Sequence, residues 1–382
     1  MKKSPVLFSL VLSLALLGCD SNSGGGSSQA QFAEIPPLPS YDFSAVDQRV
    51  DEFVAQNAVF DGVSFTLVDR QQGTLHEAAF GDHDLDIVVM LASTSKVPVT
   101  LLLMALHEDP SLDFDINEPI GTYLPWMGVY GDASTAQLLS NTSGIPGLEA
   151  LANYGAHICQ YLPAADLLTC AETLYSTELP NSVDPGTRFS YGGSQWQLAG
   201  AVAEVVGGAS WAQLFSQYIA EPCQLEVFRF GNPWSNIPSW DGTPDSLISQ
   251  DNPNIEGGGI SNMRDYAKIL QMILDGGSCG NNQVVSEESL AFMREDKGGS
   301  LGTPYGMGWW MTNPEDGSAP TVFRDPGAFG AISWLDTERE YAGYLAVDDY
   351  TRVDSGAPIA LTLNELIPLI EAAIDQGRAA VN

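Results

Sequence analysis

Ser93-Thr94-Ser95-Lys96, with the apolar stretch 88–92 before it and the apolar run 97–106 after it, is the segment on which the reading of this 382-residue chain turns. The spacing places a hydroxyl and an amine one turn apart on a helix face, within mutual reach. A serine so placed can become a nucleophile without a histidine. An ordinary lysine amine titrates near about 10.4. Burial disfavours the ammonium, and a desolvated Lys96 is expected to be a neutral base able to take the proton from Ser93.

A four-residue pattern with two fixed positions is weak alone, since chance supplies it often. The scarcity of lysine strengthens it. Lys2 and Lys3 lie in the opening segment, Lys268 and Lys297 have acidic neighbours and read as surface groups, and only Lys96 follows a serine by three. A chain sparing of lysine that keeps one among apolar neighbours puts a charge where burial is costly.

The first residues read as an export signal: a basic start at Lys2 and Lys3, an apolar stretch over 6–17 too short to span a bilayer, then Leu16-Leu17-Gly18-Cys19. The small residue before Cys19 resembles a bacterial lipobox, which implies a signal peptide over 1–19 and a lipid on Cys19. Asp20 resembles the residue that retains some lipoproteins at the inner membrane. The expectation is therefore a cell-envelope lipoprotein on the periplasmic face, with a Ser- and Gly-rich tether over 20–40.

Cys159, Cys170, Cys223 and Cys279 remain, an even number in a chain read as exported. Two disulfides are expected. Three pairings are open, of which Cys159 with Cys170 and Cys223 with Cys279 closes the shortest loops. There is no CxxC, and His76, His83, His107 and His157 show no ligand spacing, so no metal is indicated. No cofactor motif is present either, because Gly257-Gly258-Gly259 lacks the Gly-Lys-Ser/Thr of a phosphate loop. Those glycines read as a close approach of backbone to a cleft.

The net charge is −33, yet only 16% of residues are charged, so the acidity comes from missing Lys and Arg. Nucleic acid is excluded as a partner, because such a surface repels phosphate. The oligomeric state is left open.

Hydrophobic periodicity gives the coarse architecture. Ser44 is read as the cap of a helix that buries Val46, Val50, Phe53 and Val54, with Asp47 at the capping-box position. Runs 63–69 and 74–80, parted by Gln71-Gln72-Gly73, read as a β-hairpin. Helical patterns cover 95–107, 194–206 and 263–274. Strands return at 322–323, 330–335 and 341–347, before a last helical stretch over 359–376. The expected class is α+β: one antiparallel sheet built from both termini, flanked by helices, with an inserted mainly helical lobe. In a domain spanning 41–382, the sheet lobe takes about 41–90 and 305–382 and the helical lobe about 91–304. The cleft between lobes is the expected site.

Gln137-Leu138-Leu139-Ser140-Asn141-Thr142-Ser143-Gly144-Ile145-Pro146 resembles the LLSHTSGLP segment of the serine β-lactamase and penicillin-binding-protein superfamily, and Ser93 to Lys96 lies upstream of it as in that family. The nearest branch resembles the class C β-lactamases and their esterase relatives. Asp184-Pro185-Gly186-Thr187-Arg188-Phe189-Ser190-Tyr191 is similar to the family's PGxxFxYSN segment, with Tyr191 at the position of its second catalytic element. Gly306-Met307-Gly308-Trp309-Trp310 and Asp325-Pro326-Gly327-Ala328-Phe329-Gly330 hold the place of the closing segment, whose Lys-Thr-Gly or His-x-Gly lines the cleft.

This resemblance implies a β-lactamase/transpeptidase-like fold and acyl transfer in two steps. Ser93 attacks a carbonyl, Lys96 and Tyr191 share the proton transfers as a coupled pair, and water releases the acyl group. The backbone N–H groups of Ser93 and Ala328 are the implied oxyanion hole.

Two departures narrow the substrate. The family's Asn after the tyrosine is Gly193, and the basic residue of the third motif is Asp325. An Asp there repels a substrate carboxylate, so a small neutral ester or amide is favoured over penicillin. Asp325 and Gly327 are read as the substrate-binding residues of that motif, with Asp325 taking a hydroxyl or cationic group or capping a turn. Arg324 points to the opposite face by strand alternation. A β-lactamase or DD-peptidase is the nearer alternative, and a non-catalytic binding module on the same fold the more distant one. Gly298-Gly299-Ser300-Leu301-Gly302 matches GxSxG, but no strand precedes it and no histidine follows, so an α/β-hydrolase is rejected.

Overall fold

The hairpin read at 63–80 is the seed of the main sheet. β1 (Gly62–Asp69) and β2 (Gly73–Gly81) pair antiparallel with Val63 opposite Phe80, joined by a tight turn in which Gly73 has φ 78°. All eight positions of β1 are buried, as expected of a central strand covered on both faces. The computed structural model describes residues 38–163, 165–236, 240–314, 316–350 and 354–381. The signal peptide, Cys19 and the tether as far as residue 37 lie outside the described residues.

Three short strands follow in the middle of the chain: β3 (Val89–Met90), β4 (Arg229–Phe230) and β5 (Gly259–Ser261), which form a small sheet in the order β3-β5-β4. β6 (Ser278–Cys279) and β7 (Asn282–Gln283) make a separate ribbon. The C-terminal part then supplies β8 (Trp310–Met311), β9 (Val322–Pro326), β10 (Ile332–Asp336) and β11 (Tyr341–Ala346). The main sheet runs β2-β1-β11-β10-β9-β8, with β1 against β11 in the register Ser64 to Ala346. Strands from both ends of the chain thus share one antiparallel sheet, and the class is α+β.

Two cores flank that sheet. On one face, the helices Ser44–Gln56 and Ile367–Ala379 set Val46, Val50, Phe53, Ile370 and Ile374 against Phe65, Leu67, Trp334 and Leu345. Each such burial contributes about 1.5–3 kcal/mol. The other face meets the larger core, which includes the helices Lys96–Glu108, Gly193–Gly207 and Met263–Leu274. Met263–Leu274 packs directly on β1 and β11, with Tyr266 stacked on Tyr344 at 4.3 Å. That helix therefore packs on the sheet, although its residues fall within 91–304, the range read as the helical lobe. Its buried face, Tyr266, Ile269, Leu270 and Ile273, continues the sheet's apolar surface.

The first helix starts differently from the expectation. Phe43 holds the cap position, Ser44 lies inside the helix, and Asp42 Oδ1 accepts from Ser44 N at 3.0 Å. Asp47 makes no capping box; its carboxylate lies 2.7 Å from His76 Nε2 on β2. Helices Leu167–Ser176 and Glu287–Arg294 were not read from the sequence, although Asp166 and Ser286 cap them through Thr169 N and Ser289 N. Cys159 is bridged to Cys170 and Cys223 to Cys279, with Cα separations of 5.7 and 5.0 Å. The pairing is the one that closes the shortest loops.

Candidate active site

Ser93 sits in a 3-10 turn, Ala92–Ser95, that runs into the helix Lys96–Glu108. Ala92, just before it, has φ 47°, a strained value for a residue with a side chain. The surrounding packing fixes that conformation. Thr94 Oγ1 donates to the carbonyls of Asp325 and Ala331 at 3.0 and 3.1 Å, Tyr266 Oη donates to Thr94 O at 2.8 Å, and Gly259 N donates to Ser95 Oγ at 3.0 Å. The two residues between serine and lysine, which the sequence left without a role, clamp the turn between β9, β5 and a helix. The Gly257-Gly258-Gly259 segment approaches as closely as expected, since a Cβ at Gly259 would stand 2.7 Å from Ser95 Oγ.

Lys96 is fully buried, with 0% exposure. Its Nζ donates to Ser93 Oγ at 3.0 Å and to the Glu256 carbonyl at 2.8 Å. Nζ also lies 3.8 Å from Glu256 Oε2, whose side chain is 7% exposed, and 4.7 Å from the centre of the Tyr191 ring. The Tyr191 hydroxyl feels both Lys96 and Ser93, each of which favours its ionised form. The structure therefore brings Ser93, Lys96 and Tyr191 to one point.

The electrostatics correct one expectation. Burial by itself pushes the Lys96 ammonium down, but the opposing charges of Tyr191, Glu256 and Asp325 outweigh it, and the net displacement is upward. Lys96 rests as a cation and not as the neutral amine that burial alone predicted. Burial raises Tyr191, against the pull of the neighbouring Lys96. The pair titrates together.

Tyr191 is held by the segment at 137–146. Asn141 Oδ1 accepts from Gln195 Nε2 and Trp196 Nε1 at 2.8 and 3.1 Å, Ser190 N donates to Asn141 O at 2.8 Å, and Leu148 N donates to Tyr191 O at 2.7 Å. Ser190 Oγ hydrogen-bonds Glu149. One side of Tyr191 carries Trp310, with ring centres 5.3 Å apart, and across the site Tyr161, Trp234 and Phe329 form an aromatic chain with spacings of 6.0 and 5.2 Å.

The third motif is where the sequence reading and the structure part. Asp325 has 0% exposure, and its Oδ2 accepts from Val97 N at 3.3 Å, at the start of the nucleophile's own helix. Its Oδ1 has no hydrogen-bond partner among the described residues, and burial holds the carboxyl well above its ordinary range. The side chain lies beneath the site and does not meet the cleft, so the expected substrate-binding role is not available to it. Gly327 is likewise a packing position: a Cβ there would collide with Leu91 O and stand 2.7 Å from Thr94 Oγ1. Arg324 points the other way, donating to Thr312 Oγ1 at 2.8 Å. Ala328 is part-exposed in the turn that follows β9, and its N–H donates to no group of the described residues. Gly299–Leu301 is an isolated 3-10 turn, without the strand and helix that a nucleophile elbow needs.

The Beta-lactamase family model matches residues 46–362. The chain belongs to that family. It is 26% identical over 317 residues to penicillin-binding protein 4 of Amycolatopsis lactamdurans, covering 75% of this chain and 78% of that one. Among solved structures it is similar to a putative beta-lactamase from Bacteroides dorei, with a TM-score of 0.68 and 24% identity over 88% of this chain and all of the other. It is also similar to EstCE1, a hydrolase with promiscuous acyltransferase activity, with a TM-score of 0.67 and 16% identity over 87% of this chain and 100% of that one. The fold is that of the β-lactamase and transpeptidase group.

Two groups in this family member's site escaped sequence reasoning. Glu256 presents both its carbonyl and its carboxylate to Lys96, and Tyr161 Oη donates to Glu256 Oε1 at 2.9 Å. The available signal was indirect. Glu256 immediately precedes the glycine run read as approaching the cleft, and Gly193 leaves a gap where the family carries an amide.

Proposed function

We propose that this chain is a serine hydrolase that works through an acyl-enzyme on a small neutral ester or amide, with esterase-like preference. The observation that carries the reading is the fully buried Lys96 amine donating to Ser93 Oγ at 3.0 Å. Ser93 Oγ attacks the carbonyl carbon and passes its proton to the Lys96 and Tyr191 pair. The same pair returns a proton to the leaving group and then activates the water that frees the acyl group. The N–H groups of Ser93 and Ala328 stabilise the oxyanion. The absence of a basic side chain at the third motif leaves nothing there to attract a substrate carboxylate, which favours neutral substrates. The aromatic flanks supplied by Trp310 and Trp234 suit an apolar acyl or leaving group.

An envelope location is part of the same proposal. It rests on the Leu16-Leu17-Gly18-Cys19 segment, with Cys19 lipidated and the catalytic domain tethered by 20–40. The two disulfides agree with an oxidising compartment.

The test is peptide mass analysis of the soluble domain after treatment with a serine-reactive phosphonate, with Ser93→Ala in parallel. One adduct on Ser93, absent from the variant, is expected; a folded protein that takes no adduct would sink the proposal. Aryl esters, peptide amides and a chromogenic cephalosporin then separate the substrate classes. Hydrolysis of the cephalosporin faster than of the esters would move the assignment to a β-lactamase.

A further inference from the structure

Gly193 opens the helix Gly193–Gly207 beside the nucleophile, and a Cβ at that position would collide with the Gln160 amide oxygen and the Glu256 carboxylate. The space that any side chain at 193 would enter is thus already filled from another part of the chain. The filling group is charged. Its Oε1 is fixed by the Tyr161 hydroxyl at 2.9 Å, its Oε2 lies 3.8 Å from Lys96 Nζ, and the carbonyl of the same residue accepts from that amine at 2.8 Å.

We infer that Glu256 is a positioning residue for acyl transfer: entering the space that Gly193 leaves open, its carboxylate and carbonyl together hold Lys96 in place as an ammonium, so that Tyr191 receives the serine proton. The inference rests on the acyl-enzyme reading above. The step runs through the deprotonated form of Tyr191, which gives up its proton to solvent on the rising limb of the pH profile: the Ser93 O–H bond breaks and its proton goes to the phenolate oxygen. The Oγ–C bond forms as the carbonyl π pair moves onto oxygen. When the tetrahedral adduct collapses, the bond to the leaving group breaks and the Tyr191 proton moves to the leaving atom. Lys96 remains charged throughout and lowers the cost of forming the phenolate.

The other groups facing the amine are Tyr191 and Asp325, with the Trp196 ring 5.4 Å away. The carboxylate takes a hydrogen bond from Tyr161 and acts electrostatically on Tyr154 and Tyr305. Asp325 sits in a setting that disfavours its ionised form. Glu256 is therefore the negative charge whose removal most directly alters the field at Lys96 and Tyr191.

The sign of the effect follows. A negative charge beside the pair favours its protonated form, so it sets the rising limb of kcat/KM at higher pH. Glu256→Gln keeps the shape and a partner for Tyr161 but removes the charge, and the limb is expected to move toward acid by about one pH unit or more. Glu256→Asp keeps the charge but withdraws it by one methylene, and is expected to move the limb the same way by a few tenths of a unit. The rate of phosphonate labelling of Ser93, followed against pH in wild type and both variants, gives the same limb without a known substrate. Limbs that coincide in wild type and in whichever variants fold, whatever their maximal rates, would overturn the inference, since a purely structural role lowers rates without moving a titration. A wild type that takes no label at any pH would instead overturn the acyl-enzyme reading itself.

Discussion

Asp265 and Asp325 are both buried carboxyls, at 1% and 0% exposure, and both sit near the start of a helix against a strand. Their surroundings are opposite. Asp265 Oδ2 accepts from the N–H groups of Glu226, Val227 and Phe228 at 2.8, 2.7 and 3.0 Å, and its Oδ1 is paired with Lys268 at 3.2 Å. Asp325 has one long bond to Val97 N, an unpartnered Oδ1, and a carboxyl that burial holds well above its ordinary range. The comparison separates polar burial that builds the fold, where nearly every oxygen is satisfied, from polar burial under a reactive centre, where it is not. The Lys96 site belongs to the second kind, since its buried charge is shared among Glu256, Tyr191 and Ser93 and fully owned by none.

The distinction breaks if the reactive cluster proves structural. Ser93→Ala, Lys96→Ala and Tyr191→Phe are each expected to lower turnover by about a thousandfold or more, while Ser93→Ala and Tyr191→Phe keep the wild-type circular dichroism and melting transition. Ester hydrolysis near the wild-type rate by a folded Ser93→Ala would refute the role given to that cluster. Next in size is Asp265→Ala, which strips a partner from three buried N–H groups. A loss of about 3 kcal/mol in denaturant unfolding is expected, with kcat/KM little changed for the fraction that stays folded.

Gly193→Ala sharpens the boundary between the two kinds. The added methyl drives into Gln160 and Glu256, and a displacement of about 1 Å at Lys96 is expected to cost roughly a hundredfold in kcat/KM. An alanine variant at wild-type activity would show that the space at 193 is looser than the contacts imply.

Asp325→Asn gives the smallest effect near pH 4 and below, where both side chains are neutral, within about 1 kcal/mol, and its signature is pH dependence. A carboxyl whose folded pKa is raised binds more protons in the native than in the unfolded state above its unfolded value. Its contribution to stability therefore falls as pH rises from near about 4 toward the folded pKa. The asparagine variant should lack that decline, so its stability relative to wild type should grow across the same range in urea unfolding. A constant difference at every pH would mean that Asp325 is ionised in the folded protein and that its burial is better compensated than its contacts indicate.

Much of the fold was legible along the chain. The hairpin at 63–80, the helix Met263–Leu274, the last three strands and the long C-terminal helical stretch all carry local periodicity, and periodicity reports one buried face without knowledge of the partner. Helix starts were less legible. Asp166 and Ser286 cap their helices, while the expected Ser44 does not cap the first, because a cap depends on which side chain turns back onto a free N–H and several candidates stand close in sequence. The site was legible to the extent that its residues lie in short motifs: Ser93, Lys96 and Tyr191 converge as their motifs implied.

The sequence by itself determined which residue types meet: a serine and a lysine one helical turn apart, a tyrosine after Pro-Gly, and strands at both ends that must share a sheet to bury their apolar faces. Tertiary structure alone decided the charge on Lys96 and the direction in which Asp325 points. Both depend on groups far away in sequence. Glu256 lies 160 residues from Lys96 and Asp325 lies 228 from the Val97 N–H that it accepts. A charge in a low-dielectric interior is governed by what lies within a few ångströms, and no local pattern records those neighbours.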